Sequence, residues 1–207
     1  MGTGAINIRP LATLDLNGST IANAITLNGA GLNSNGALIN ANTTTAATAS
    51  GAITVAADSA FGGPGAMTTS GVTSASTYVV SYLNGVDATA QNVGNSISKL
   101  TITNSDVKLK TSAALTINAS SLTGSSTIQT VAADKDITVS GAITNNTDAN
   151  TLTMMSSRDI IVSANISGAT GKSLNTNFYA NTDNLGAGGY TLCAAVSTFG
   201  GNVFVGG

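Results

Sequence analysis

The sequence predicts an all-β fold, a parallel β-solenoid (β-helix) in which short strands stack into coils of about 20–24 residues. Three observations point to it: a segment that occurs twice, a composition that disfavours helices, and short apolar triplets that end at turn residues. In such a fold each coil is too small to bury its own apolar face. It therefore packs on its neighbours.

The repeated segment is the strongest of these observations. Residues 135–144 read KDITVSGAIT and residues 158–167 read RDIIVSANIS, at an offset of 23 residues throughout. Strand beginnings at 115, 137 and 160 continue that spacing at 22 and 23 residues. A sandwich alternates strands of unlike character, whereas here similar strands return once per coil. The spacing therefore favours a solenoid over a sandwich.

The composition argues against helices. Charged residues make up 8% of the chain, against about 25% in ordinary soluble domains. All nine acidic residues are Asp, and there is no Glu, His or Trp. Long exposed helices thus lack their usual side chains. Short alternating runs of Thr, Val and Ile, broken by Gly, Asn and Ser, favour many short strands.

The N-terminal part contains apolar, polar, apolar triplets that end in Asn-Gly or similar turn signals. They predict strands near residues 6–8, 14–16, 25–27, 37–40 and 52–55. Because Asn-Gly can also close a two-residue hairpin, the sequence leaves open whether this third of the chain pairs as hairpins or as coils.

The middle of the chain interrupts the pattern. Residues 58–77 are small and polar around Gly-Gly-Pro-Gly, and we interpret them as a loop that leaves the solenoid. Residues 78–83 predict a hydrophobic strand that Asn84 and Gly85 close, with both of its tyrosines on one side. Residues 86–98 are again polar and predict a second loop. We otherwise expect residues 1–207 to form one elongated domain.

From Lys99 onward the rhythm is regular. Strands are predicted at 100–102, 107–109, 115–117, 137–139, 152–154 and 160–162, with those at 100 and 152 on a second sheet of the same coil. Each turn would then hold two or three strands. Parallel stacking predicts one inward ladder of Leu115, Ile137 and Ile160, and a second of Ile117, Val139 and Val162.

Charge and cysteine content exclude several classes of partner. A net charge of −2 provides no basic surface for nucleic acid or anionic lipid. The single Cys193 excludes an intrachain disulfide and a cysteine-based metal cluster, and we expect a small buried thiol. No apolar run reaches the roughly 18 residues of a membrane helix. The first residues lack the pattern of an export signal.

The sequence offers little for catalysis. The absence of His excludes Ser-His-Asp and Cys-His chemistry. We interpret the clustered charged residues as a solvated corner in which Lys135 and Asp159 form a diagonal pair. The cluster comprises Asp134, Lys135, Asp136, Arg158 and Asp159.

Neither glycine-rich segment, 62–65 or 186–189, is followed by the Lys and hydroxyl residue of a phosphate loop. We therefore expect a protein that is not an enzyme, with no catalytic residues, no cofactor and no metal site.

The later repeats resemble those of filamentous haemagglutinin-like exoproteins, the large two-partner-secreted adhesins of Gram-negative bacteria. The resemblance rests on residues 136–143, their copy at 159–166, and the closing segments 181–183, 186–192 and 200–203. It implies a right-handed parallel β-helix, export through an outer-membrane partner transporter, and a role as the shaft of an adhesin or a contact-dependent toxin carrier. The Asn-Pro-Asn motif of the family's secretion domain has no match in this sequence.

Three functional classes follow. The first is a secreted, cell-surface adhesive shaft whose partners are surface glycans or proteins. The second is a self-assembling subunit of an extracellular filament or biofilm matrix, in which further copies stack end to end. The third is an ice- or carbohydrate-binding solenoid. It would need a flat Thr array, for which Thr101, Thr116, Thr138 and Thr153 are candidates and which Ile161 interrupts.

Overall fold

A computed structural model describes residues 2–75, 78–83, 87–90 and 92–207 of the chain. The fold is an all-β parallel solenoid of about eight turns, with about 23 residues per turn. Helical structure among the described residues is limited to a 3-10 segment at Leu32–Ser34. None of the described residues form a helix with the length and apolar character needed to cross a membrane.

Each coil contributes strands to three faces of the solenoid. The first face comprises β1 (Ile6–Ile8), β4 (Ile25–Leu27), β7 (Ile53–Val55), β10 (Thr73–Ala75), β13 (Ser96–Ile97), β15 (Leu115–Ile117), β18 (Ile137–Val139), β21 (Ile160–Val162) and β24 (Tyr190–Leu192). The second face comprises β2 (Leu14–Asp15), β5 (Leu38–Ile39), β8 (Ser59–Gly62), β11 (Val80–Leu83), the first half of β14 (Lys99–Thr111), β16 (Ser120–Leu122), β19 (Ile143–Asn145), β22 (Ile166–Gly168) and β25 (Val196–Ser197).

The third face comprises β3 (Thr20–Ile21), β6 (Ala47–Ala49), β9 (Met67–Thr69), β12 (Asp87–Ala90), the second half of β14, β17 (Ser126–Thr130), β20 (Asn150–Met155), β23 (Leu174–Tyr179) and β26 (Val203–Gly206). Strand β14 turns the corner between the second and third faces without a break. Its register with β16 shifts between Thr103 and Ser105, where Asn104 adopts a positive φ of 48°.

The core is a column of aliphatic side chains that runs along the axis. Leu115 pairs with Ile137 and Ile137 with Ile160, and Ile117, Val139 and Val162 form the next ladder. All six side chains are buried, so both predicted ladders are confirmed. Each such side chain contributes roughly 1.5–3 kcal/mol on burial. The column thus stabilises the fold although the chain has few aromatic residues.

The hairpin alternative for the N-terminal third is wrong. Ile6 pairs with Ile25 and Ile25 with Ile53, both in parallel. Asn17 and Gly18 adopt positive φ, but they turn the corner between the second and third faces of the first coil. Apolar side chains on the next coil offer a continuous inward column, which an isolated hairpin would lack.

The loop predicted at 58–77 is also wrong, since β8, β9 and β10 occupy all three faces within it. These small residues have weak strand propensity of their own, which is why a loop was predicted. They form strands because they pair with the strands of the neighbouring coils. Phe61 illustrates this: it pairs with Leu38 on one side and with Tyr82 on the other, and its ring stacks on that of Tyr82 at 5.1 Å.

The second predicted loop, 86–98, contains strands β12 and β13. Residues 86 and 91 of that loop, and the predicted turn at 84–85, lie outside the described residues. The two tyrosines of segment 78–83 do not share a side. Tyr82 is fully buried and Tyr78 is exposed, because β11 begins at Val80 and Tyr78 precedes the strand.

The strands predicted at 100 and 152 lie on different faces. Leu100 pairs with Val80 of the second face and with Ile117 of the first, whereas Leu152 pairs with Ser126 on the third. Equal coils would have placed both strands on one face. However, Ile6 and Ile25 are 19 residues apart and Ile160 and Tyr190 are 30 apart. Corner length varies between coils while the strand register is kept.

We expect an inward charge to destabilise the solenoid far more than an outward one. Ile160→Asp should lower the free energy of unfolding by more than the about 2–5 kcal/mol typical of Ile→Ala in a core, because a buried, unpaired carboxylate adds to the lost packing. Thr138→Asp, on the partly exposed side of the adjacent coil, is the matched control and should be mild. Urea melts measure both, and equal effects would contradict the inward assignment of Ile160.

Candidate functional site

The predicted charged cluster lies at the corner that precedes the first face on two adjacent coils. Oδ1 of Asp136 accepts a hydrogen bond from Nε of Arg158 at 2.7 Å and from the backbone N–H of Asp159 at 3.1 Å. Nη2 of Arg158 binds the other carboxylate oxygen of Asp136, and Oδ2 of Asp159 lies 3.4 Å from Nε of Arg158. Because Arg158 reaches both carboxylates, the diagonal pair predicted between Lys135 and Asp159 is wrong.

The electrostatics of this corner favour permanently ionised groups. The hydrogen bond from Arg158 holds the pKa of the Asp136 carboxyl below its ordinary value, and the N–H of Asp159 adds to that effect against partial desolvation. The same ion pair raises the pKa of Arg158. A general acid needs a carboxyl whose pKa is raised towards neutrality. The Asp136–Arg158 pair instead lowers the pKa of the carboxyl.

The corner is one case of a wider pattern. In the described part of the chain, aspartates at several corners accept a hydrogen bond from a backbone N–H on the following coil, at 2.8–3.1 Å: Asp15 from Ala41, Asp58 from Val79, Asp136 from Asp159, Asp148 from Ser173 and Asp159 from Gly189. Backbone groups at corners have no strand partner and need another one. The short Asp side chain supplies it across one coil spacing, which is a structural reason for an acid complement without Glu.

Buried asparagines also hydrogen-bond to backbone groups of adjacent coils, at the corner between the second and third faces. Nδ2 of Asn40 donates to the carbonyls of Thr45 at 3.0 Å and Ala66 at 2.7 Å. Its Oδ1 accepts from the N–H of Gly18 at 2.9 Å and of Asn42 at 3.2 Å. Asn40 is fully buried. One amide thereby connects three consecutive coils.

Asn145 repeats this arrangement further along the chain. It is fully buried, and its Nδ2 donates to the carbonyl of Ser173 on the next coil at 3.0 Å. Its Oδ1 accepts from Nδ2 of Asn150 at 2.7 Å. These asparagines could not be singled out from the sequence, because Asn is common throughout the chain and nothing local distinguishes the buried ones.

The glycine-rich segment 62–65 allows close approach between coils. A Cβ on Gly62 would lie 2.0 Å from the carbonyl oxygen of Asn35, and one on Gly65 would lie 2.1 Å from that of Asn42. Gly62 lies within β8, not in a phosphate-binding loop. In the described part of the chain, no group of three or more His, Cys, Asp or Glu side chains is arranged to hold a metal ion.

The outward threonines do not form one array. Thr116 and Thr138 pair on the first face, Thr101 lies on the second, and Thr153 lies on the third. A hydroxyl column that the sequence analysis missed follows the third face, where Thr20 pairs with Thr48, Thr48 with Thr68, and Thr127 with Thr153. Lys108, the partner of Thr127, interrupts it.

Cys193 is exposed, so the expectation of a buried thiol is wrong. The residue follows β24, and the equivalent residues of the two preceding coils, Ser140 and Ser163, are exposed as well, so this position points outward from the corner.

Together, the hydrogen bonds and ion pairs at the corners hold adjacent coils against each other. Its charged and amide groups bind the chain's own backbone, and its outward faces carry mainly hydroxyl groups. No known protein family, curated protein or solved structure matches this chain.

We expect Asn40→Ala to be strongly destabilising. The substitution would leave four backbone groups without a side-chain partner, at about 1–3 kcal/mol for each that stays buried and unpaired. Asn177→Ala is the control, because Asn177 points outward and makes a 3.5 Å contact with Thr153. Chemical denaturation measures both. Equal midpoints for the two variants would contradict a structural role for the Asn40 amide.

The Asp136–Arg158 pair predicts a pH-dependent contribution to stability. Because the folded-state pKa of Asp136 is lowered, the contribution is present above the unfolded value of about 3.9. It is lost as the pH falls through the folded value. Asp136→Asn should therefore have a lower Tm than the parent protein at about pH 7, and the two should converge in acid. A difference in Tm that is independent of pH would contradict this assignment.

Proposed function

We propose that this chain is a non-catalytic structural and adhesive shaft segment of a secreted bacterial surface protein. The observation that carries the proposal is the continuous parallel ladder through the repeated segments, where residues 137–139 pair with 160–162 and 143–145 with 166–168. A ladder of this kind adds length one coil at a time and needs no separate core for each unit.

The use of polar groups supports a role without catalysis. Asp136, Arg158 and Asp159 are engaged with each other and with backbone groups of the adjacent coil. Groups tied in this way stabilise coil stacking and are not free to transfer protons to a substrate.

The outward faces support contact with surface glycans or proteins. Side chains such as Thr48, Thr68 and Thr153 offer hydroxyl groups at the regular spacing of the coils, about 4.8 Å. Such a surface can hydrogen-bond to neutral polar partners. It has little charge with which to attract nucleic acid or an acidic lipid surface.

The proposed location is the bacterial cell surface or the surrounding medium, reached through an outer-membrane partner transporter. It is supported by the resemblance of residues 136–143 and 159–166 to repeats of filamentous haemagglutinin-like exoproteins. Low cysteine content, with the single Cys193, is compatible with a secreted protein whose stability comes from repetition.

Antibodies raised against the chain test this proposal in the source organism. We expect an immunoblot to detect a product far longer than 207 residues, and labelling of intact cells that brief external proteolysis removes. A cytoplasmic protein of known location is the control for cell integrity. A product confined to the cytoplasmic fraction would refute the proposed location.

A further inference from the structure

Asn-Gly steps are the places where an asparagine most readily loses its side-chain amide. The backbone nitrogen of the glycine, after losing its proton, bonds to the side-chain carbonyl carbon of the asparagine, and the amide nitrogen leaves as ammonia. Glycine permits this closure because it has no side chain to obstruct it. Water then opens the cyclic imide to aspartate or to isoaspartate. The described part of the chain contains three such steps, which begin at Asn17, Asn28 and Asn35.

At two of these steps the glycine nitrogen is tied to a side chain of the following coil. The N–H of Gly18 donates to Oδ1 of Asn40 at 2.9 Å. The N–H of Gly29 donates to Oγ of Ser59 at 3.1 Å. Both acceptors are buried, with Asn40 0% and Ser59 2% exposed. The nitrogen must give up this hydrogen bond before it can lose its proton and attack, and the buried acceptor is then left without its donor.

The two acceptors are themselves held in place. Nδ2 of Asn40 donates to one carbonyl of its own coil and one of the coil after it, which directs Oδ1 towards the N–H of Gly18. Oγ of Ser59 donates its proton to the carbonyl of Ala57 at 2.7 Å, so its lone pairs remain available to Gly29. The restraint on each glycine nitrogen therefore comes from the stacking of coils and is absent from the isolated segment.

The third step is restrained in a different way. The N–H of Gly36 donates to the carbonyl of Ala30 at 2.8 Å, within the same corner. Because this acceptor is a backbone group, a side-chain substitution on another coil leaves it in place. Asn35 is exposed, as is Asn17. It therefore provides an internal reference for the other two steps.

We propose that Asn17 and Asn28 are conditional deamidation sites, which the side chains of the following coil keep in the asparagine form. When two coils separate, the nitrogen of Gly18 or Gly29 loses its acceptor and the imide can close. Isoaspartate routes the main chain through the side-chain carbon, which adds one atom to the backbone of the corner. The product thus no longer fits the corner, and a transient opening becomes permanent. The inference does not rest on the proposed function, because it concerns the chain wherever it is located.

Two substitutions each remove one acceptor. Asn40→Ala frees the nitrogen of Gly18, and Ser59→Ala frees that of Gly29 with a smaller change in the core. Parent and variants are incubated in mildly alkaline buffer, which favours loss of the amide proton. Peptide mass spectrometry then measures the conversion of each asparagine to aspartate and isoaspartate. Parent chain kept unfolded in urea gives the rate of each step without the fold, and circular dichroism melts verify that each variant is folded.

We expect the folded parent to react far more slowly than the unfolded parent at all three steps. Asn40→Ala should accelerate deamidation of Asn17 roughly tenfold, the factor that corresponds to about 1.4 kcal/mol and to one net hydrogen bond. It should leave Asn28 and Asn35 unchanged.

Ser59→Ala should accelerate deamidation of Asn28 and leave the other two steps unchanged. The increase should be smaller than at the first step, because the Asn28 side chain has a second restraint. Its Nδ2 donates to Oδ1 of Asn7 and to the carbonyl of Ile8, both at 3.1 Å.

The selectivity of the two variants decides the outcome. A variant that accelerates all three steps equally would overturn the proposal, because that result indicates general opening of the solenoid and not the loss of one acceptor. A folded parent in which Asn17 reacts as fast as in urea would overturn it as well. So would Asn40→Ala and Ser59→Ala proteins that both react at the rate of the folded parent.

Discussion

The structure depends on one constraint: every coil must present its strands in parallel register with the coils on either side. Parallel pairing satisfies the backbone of a strand only through its neighbours. The inward side chains are likewise covered only by the coil above and the coil below. Ile137 shows both effects, since it lies between Leu115 and Ile160 and is fully buried by them. A single coil of this chain would have neither hydrogen-bond partners nor a core.

The corners meet the same constraint with side chains. Where the chain leaves one face for the next, its N–H groups point away from any strand, and Asp or Asn side chains from adjacent coils accept them. This accounts for a composition poor in charge and rich in short polar residues. The same constraint explains the charged cluster. Asp136 and Asp159 are close together because they occupy the same position on successive coils, as is usual in a repeat fold.

A fold of this kind leaves its outer faces as the long accessible surface between one coil and the next. The interior is a column of mainly aliphatic side chains, and the polar groups at the corners hydrogen-bond to adjacent coils. The outer faces are long and mostly uncharged.

Periodicity along the chain was enough to predict the fold class, the coil spacing around the repeated segments, and the inward ladders from Leu115 to Val162. Such periodicity can be recognised in a single sequence. Three other features became apparent only in the folded chain: the small residues at 59–75 form strands, Leu100 and Leu152 lie on different faces, and Asn40 joins three coils. Each of these is decided by residues roughly one coil away, which local propensity does not record.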